Sequence, residues 1–133
     1  MVKRLIFFLF ILFSSSTIQC NTLQKIHRKV IKVRLTHYHP VKAQCDVNPL
    51  ITADGSKIDL HKLKKGQIRW CAVSRDIWKM FPKNRKKTIW IEGYGIYEVR
   101  DVTNARMRNT IDILLHPTSS KKIYKKNVEA TIL

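Results

Sequence analysis

The chain has 133 residues, room for one domain with one core, and carries 26 Lys and Arg against 9 Asp and Glu, a formal charge of +17. A hydrophobic share of 44% excludes a disordered basic tail. The charge directs the folded surface toward polyanions, whether nucleic acid, anionic lipid or an anionic cell wall.

Residues 1–20 differ from the rest. Lys3 and Arg4 precede an unbroken apolar run from Leu5 to Phe13, and Ser14, Ser15 and Ser16 follow as small residues suited to cleavage. That is the pattern of a secretory signal peptide, and the run is short for a bilayer span. An uncleaved anchor is the alternative and offers a membrane contact. Lipoprotein attachment at Cys20 is a second alternative, although Gln19 stands where a small residue is usual. Removal of the segment takes out two cations and no acid, leaving 24 basic against 9 acidic residues, +15, so the charge belongs to the folded part. An exported protein of this charge, acting as a monomer, meets peptidoglycan or another anionic envelope glycan. Nucleic acid is not expected, since the chain has no nucleic-acid motif.

Residues 21–29 read as a polar lead-in and 30–133 as the domain. Ile31, Val33 and Leu35 alternate with Lys32, Arg34 and Thr36, the period of a half-buried strand, which Pro40 ends. His37 and His39 share a face there, but a third metal ligand would have to come from His61 or His116 by the chance of folding, so they read as polar residues beside a groove, and no metal or other cofactor is expected. Cys45 and Cys71 form an even pair that an oxidising compartment could join as a disulfide; two separate buried thiols are the alternative. Asp54-Gly55 signals a turn, and Asp59 caps a short helix that stops at Gly66. Residues 68–73 form an apolar strand. Ser74 then stands as N-cap of a helix carrying Ile77, Trp78 and Phe81 before Pro82. Residues 83–87 form a basic loop, either a solvated turn or a contact with wall or lipid.

Strands follow over 88–91, 96–100 and 110–115, the first two joined at Gly93-Tyr94-Gly95. A short helix over 119–126 and a last strand over 127–133 complete the domain. About six short strands without a βαβ rhythm predict a mainly β fold, a small six-stranded barrel with short helices in the connections. Asp101 closes one apolar strand and Asp112 opens the next. A carboxylate beginning an apolar strand needs partners to offset its desolvation, which makes Asp112 a candidate for chemistry. Asp101 can instead cap the loop that follows it, while Asp54 reads as a turn former.

Four segments together resemble the double-psi β-barrel domains of the three-aspartate (3D) and rare-lipoprotein-A-like (RlpA-like) families, which are related to MltA-type lytic transglycosylases and to expansins. Thr36-His37-Tyr38-His39-Pro40 resembles the first-strand motif, and Thr52-Ala53-Asp54-Gly55 the family's Thr-Ala-x-Gly turn. Ala72-Val73 resembles the start of the segment holding the first aspartate. Gly93-Tyr94-Gly95, Asp101 and Ile111-Asp112 resemble the remaining motifs, in order and spacing. Ser74 stands in place of the first aspartate, and Val102-Thr103-Asn104 replaces the usual Thr-Gly-Gly.

The resemblance implies a secreted protein that cleaves the glycan strand of peptidoglycan with formation of a 1,6-anhydro end. It makes Asp112 the general acid and then base, with Asp101 as its helper. Thr52, Tyr38 and Ser74 are implied as hydrogen-bond donors, and Tyr94 as a surface for stacking on sugar. The alternative is a non-catalytic, expansin-like module that holds glycan without cutting it. A site of this kind requires Thr52, Asp101 and Asp112 to converge in one groove. An Asp112 far from Asp101, or with its carboxyl on the outside of the barrel, would undo it.

Overall fold

The computed structural model describes residues 28–45 and 47–133. The signal segment, Cys20 and most of the 21–29 lead-in lie outside the described residues. The elements are β1 (Lys29–Tyr38), α1 (Leu60–Lys64), β2 (Trp70–Val73), α2 (Arg75–Trp78), β3 (Thr88–Ile91), β4 (Gly95–Val102), β5 (Thr110–Leu114) and β6 (Lys125–Ile132). The six strands close into a barrel in the order β1-β5-β2-β4-β3-β6. This is the mainly β, six-stranded barrel with short helices that the strand count predicts. Two neighbouring pairs, β1 with β5 and β2 with β4, run parallel, and the others are antiparallel. Closure removes unpaired edges, so a basic chain with short strands needs no cover for its backbone polar groups.

Alternation decides what fills the barrel. Leu35, Cys71, Val73, Ile91, Ile111 and Ile113 point inward and are almost completely shielded from solvent. Their outward neighbours on β1, Lys32 and Arg34, are exposed. Ile77 and Phe81 of the short α2 region join the same core, which explains why a helix of four residues holds its place. A second, smaller cluster lies on the outside of the wall. There Tyr38, Ala72 and Leu114, facing out from β1, β2 and β5, pack under Ile58 and Leu63 from the connection between β1 and β2.

The connection is built as its residues predict. Asp59 caps α1 by accepting from the Lys62 N–H at 3.0 Å, and Gly66 takes a positive φ of 69° past the helix end. Gly93 and Gly95, both with positive φ, make the β3–β4 turn.

Two local expectations fail. Residues 119–124 are not helical: Ile123 is buried, and its N–H donates to His37 Nδ1 at 3.0 Å, which holds the backbone away from a helical ladder. Cys71 is a free thiol, so the Cys45–Cys71 disulfide is not formed. Cys71 points into the barrel interior, whereas Cys45 packs with the outer cluster, and the barrel wall separates them. Burial, with the nearby Asp112 charge, pushes the Cys71 thiol well above the ordinary range. Cys71 is therefore expected to resist an aqueous thiol reagent in the native protein and to react once the protein is unfolded in denaturant. Mass spectrometry of the modified peptide reads this out, and rapid native labelling of Cys71 would contradict its placement.

Candidate functional site

Strand register creates a row of side chains across four neighbouring strands. Thr36 on β1 pairs with Asp112 on β5, Asp112 with Ala72 on β2, and Ala72 with Asp101 on β4. Directly paired residues face the same side of a sheet, so one hydroxyl and two carboxylates are presented together. Between them Ala72, with only a methyl group, leaves space.

Asp101 reaches this face only through an irregularity. Along β2 and β4, Cys71 pairs with Val99 but the next residue, Ala72, pairs with Asp101, so two residues of β4 oppose one of β2. Tyr97 and Val99 point into the core. Simple alternation would send Asp101 inward after them, and the bulge turns it outward.

The row faces out from the barrel wall. That is the placement expected to undo the site; the expectation did not include a covered outer face. Here the connection between β1 and β2 roofs one side, and the loop after β4 flanks the other. The resulting groove has a volume of about 630 Å³, and Tyr38, Thr52, Ala53, Asp101, Asn104 and Asp112 are among its lining residues. The convergence of Thr52, Asp101 and Asp112 in one groove is therefore present, on the outer face of the wall and not within the barrel.

The two carboxylates have different surroundings. Asp112 accepts a hydrogen bond from the Thr36 hydroxyl to Oδ1 at 2.7 Å. Among the described residues its other oxygen has no hydrogen-bond partner, so a proton on Asp112 belongs on Oδ2. Burial is the largest influence on this group and raises its pKa above the ordinary carboxylate value. The Thr36 bond and the His37 charge oppose the rise, and the Asp101 charge adds to it.

Asp101 is instead saturated with donors. Its Oδ1 accepts from the backbone N–H groups of Ala53 and Val102, both at 2.9 Å, and its Oδ2 from the Tyr38 hydroxyl at 3.3 Å. Burial, then the Asp101 charge and hydrogen bond, push the Tyr38 phenol far above its usual range, so Tyr38 remains a donor. Asp101 thus binds the turn at Ala53 to the barrel wall. Arg100 reinforces the joint: its carbonyl accepts from the Asp54 N–H at 3.2 Å, and its guanidinium contacts the Asp54 carboxylate at 3.3 Å. Burial works against ionisation of Asp54, but hydrogen bonds from Thr52, Ser56 and Arg100 outweigh it and hold its pKa below the ordinary value.

The remaining sequence-predicted residues divide. Tyr38 lines the groove. Thr52 does too, but its hydroxyl is engaged within the turn, donating to Asp54 Oδ1 at 2.7 Å. Ser74 is wholly buried and does not line the groove; its Oγ accepts from the Thr110 N–H at 3.0 Å, and it makes no side-chain cap to α2. Tyr94 is also elsewhere, at the β3–β4 turn, with the ammonium groups of Lys121 and Lys125 over its ring at 5.4 and 5.3 Å. His37 and His39 stand edge to face at 5.4 Å, and no metal-holding group of three ligands occurs among the described residues.

Thr36 and Arg75 are site residues that the sequence reading did not assign. Thr36 had a signal, since it alternates with Tyr38 along one strand and so shares its face. Arg75, at the start of α2, brings a cation to the groove through tertiary packing alone.

Comparison with protein-family models, with curated proteins and with solved structures returns no match.

Proposed function

We propose that this chain is an exported cell-envelope protein of the double-psi, rare-lipoprotein-A-like kind. Its activity is cleavage of peptidoglycan glycan strands in the manner of a lytic transglycosylase. The observation that carries the reading is the unequal carboxylate pair in one groove. Asp112, raised by burial and with one oxygen unpartnered, suits a general acid. Asp101, held by three donors, suits a fixed negative charge beside it.

In this mechanism the proton on Asp112 Oδ2 passes to the glycosidic oxygen as the bond from that oxygen to C1 breaks. The resulting carboxylate takes the proton of the same sugar's C6 hydroxyl, whose oxygen bonds to C1 and closes the 1,6-anhydro ring. The nucleophile is part of the substrate, so one carboxyl serves both steps where ordinary glycosidases use two. The Asp101 charge helps keep Asp112 protonated before the first step and favours positive charge on the sugar ring during it.

Incubating purified peptidoglycan with the protein should release muropeptides with 1,6-anhydro ends, identified by mass spectrometry. Absence of release from several wall types would sink the enzymatic reading. Ser74, buried where the resembled families carry an aspartate, favours a second reading, an expansin-like module that binds glycan without cleaving it. That reading expects co-sedimentation with insoluble wall, weakening as salt rises, with no soluble product.

A further inference from the structure

A second cavity, about 580 Å³, opens on the other side of the outer cluster, where β5 ends and β2 begins. Lys64 and Arg69 bring positive charge to its lining and His116 an imidazole, without a carboxylate, while Ile68, Leu114 and Leu115 supply apolar wall. We propose that it binds a phosphate-bearing ligand, with the phosphate on Arg69 and the ligand body against the apolar wall.

Arg69 is preorganised for this role. Its guanidinium lies 4.4 Å from the centre of the Tyr97 ring and donates through one nitrogen to the Tyr94 carbonyl. No described carboxylate pairs with Arg69, whereas Arg100 engages both Glu98 and Asp54. A stacked, oriented guanidinium with unused N–H groups loses little freedom on gripping an oxyanion.

His116 is oriented as well. The Thr118 hydroxyl lies 2.8 Å and the Thr118 N–H 3.2 Å from its Nδ1, which leaves Nε2 without a hydrogen-bond partner among the described residues. Thr118 and Ser119 add hydroxyl-bearing side chains to the lining, and Lys64 adds an ammonium. Donors on several sides suit a tetrahedral phosphate better than a planar carboxylate, which one arginine fork can satisfy. The volume holds more than the anion, and the apolar wall suits the carbon body of a phosphate ester.

Calorimetric titration of the full chain with glycerol 3-phosphate at physiological salt tests the site, beside sedimentation with phosphatidylglycerol vesicles. Saturable binding of glycerol 3-phosphate is expected, weakened about tenfold or more by Arg69→Gln. Arg85→Gln, which removes the same charge from an exposed residue that does not line the cavity, should leave it unchanged. Lys64→Gln provides a second pocket variant that disturbs no described hydrogen bond. Vesicle binding that falls in parallel with Arg69→Gln identifies a lipid headgroup as the source of the phosphate. Vesicle binding indifferent to Arg69→Gln, with soluble phosphate still lost, identifies a soluble ester. Equal weakening by Arg69→Gln and Arg85→Gln, or no saturation by glycerol 3-phosphate, would overturn the proposal, because diffuse attraction by a +17 chain then accounts for all binding.

Discussion

Asp112→Asn is expected to abolish glycan cleavage, by roughly 10³-fold or more, while making the protein harder to unfold at neutral pH. The two effects share one cause. Burial raises the folded-state pKa of Asp112 above the unfolded value of 3.8, so the folded protein holds this proton more tightly than the unfolded chain does. The stabilising contribution is complete below the unfolded value and is lost as pH rises through the folded one. At neutral pH the ionised group is therefore a burden on folding. Asparagine keeps a carbonyl to accept the Thr36 hydroxyl and never ionises, so a gain of about 1 kcal/mol, a few degrees in Tm, is expected at pH 7. The gain should shrink as pH falls toward 4. A Tm difference independent of pH would contradict the assigned environment. Undiminished cleavage by the variant would refute the assigned role. Under the proposed function the same sign makes the activity of the unmodified protein fall on the alkaline side, as the acid loses its proton.

Asp101→Ala should produce the largest loss of stability at the site, about 2–4 kcal/mol in urea unfolding. The truncation removes the acceptor for the Ala53 and Val102 N–H groups and for the buried Tyr38 hydroxyl. Hydrogen exchange at Ala53 should accelerate as its turn detaches from the wall. Asp101→Asn keeps one carbonyl acceptor for the backbone donors and, across from Tyr38, an amide that the phenol oxygen can accept from. Its cost should stay below about 1 kcal/mol. It also removes a charge that raises Asp112, so its activity should fall off at lower pH than in the native protein. If Asp101→Ala cost as little as Asp101→Asn, with Ala53 exchange unchanged, the clamp would not exist.

These two carboxylates also show how much was legible before folding. Asp112 stood out because a charge opening an apolar strand needs partners to offset its desolvation, and the structure half-buries it at the groove. Asp101 stood out by position, but its work was not legible. Its donors come from Ala53 and Tyr38, far away in the chain, and its direction depends on a bulge that period-two reading cannot show. Ser74 illustrates the opposite case. Its place in the motif order suggested a groove residue, yet its hydroxyl serves the Thr110 N–H inside the wall. Tyr94 looked like a sugar platform between two glycines, but that turn lies away from the groove.

The sequence alone determined the strand segments of the barrel, the inward face of β1 with Val33 and Leu35, and the turns at Asp54-Gly55 and Gly93 to Gly95. These depend on alternation and on backbone conformations that few residues tolerate, both of which are local. The last helix was misread because the buried Ile123 N–H found its acceptor in His37 on a distant strand. Only the tertiary structure decided that Thr36, Asp112, Ala72 and Asp101 form one row, that Cys71 is walled off from Cys45, and that Arg69 lines a second cavity with no ion pair among the described residues. Those outcomes follow from strand order and register. A parallel pairing of β1 with β5 joins residues 76 positions apart through backbone hydrogen bonds that carry no signature in either segment.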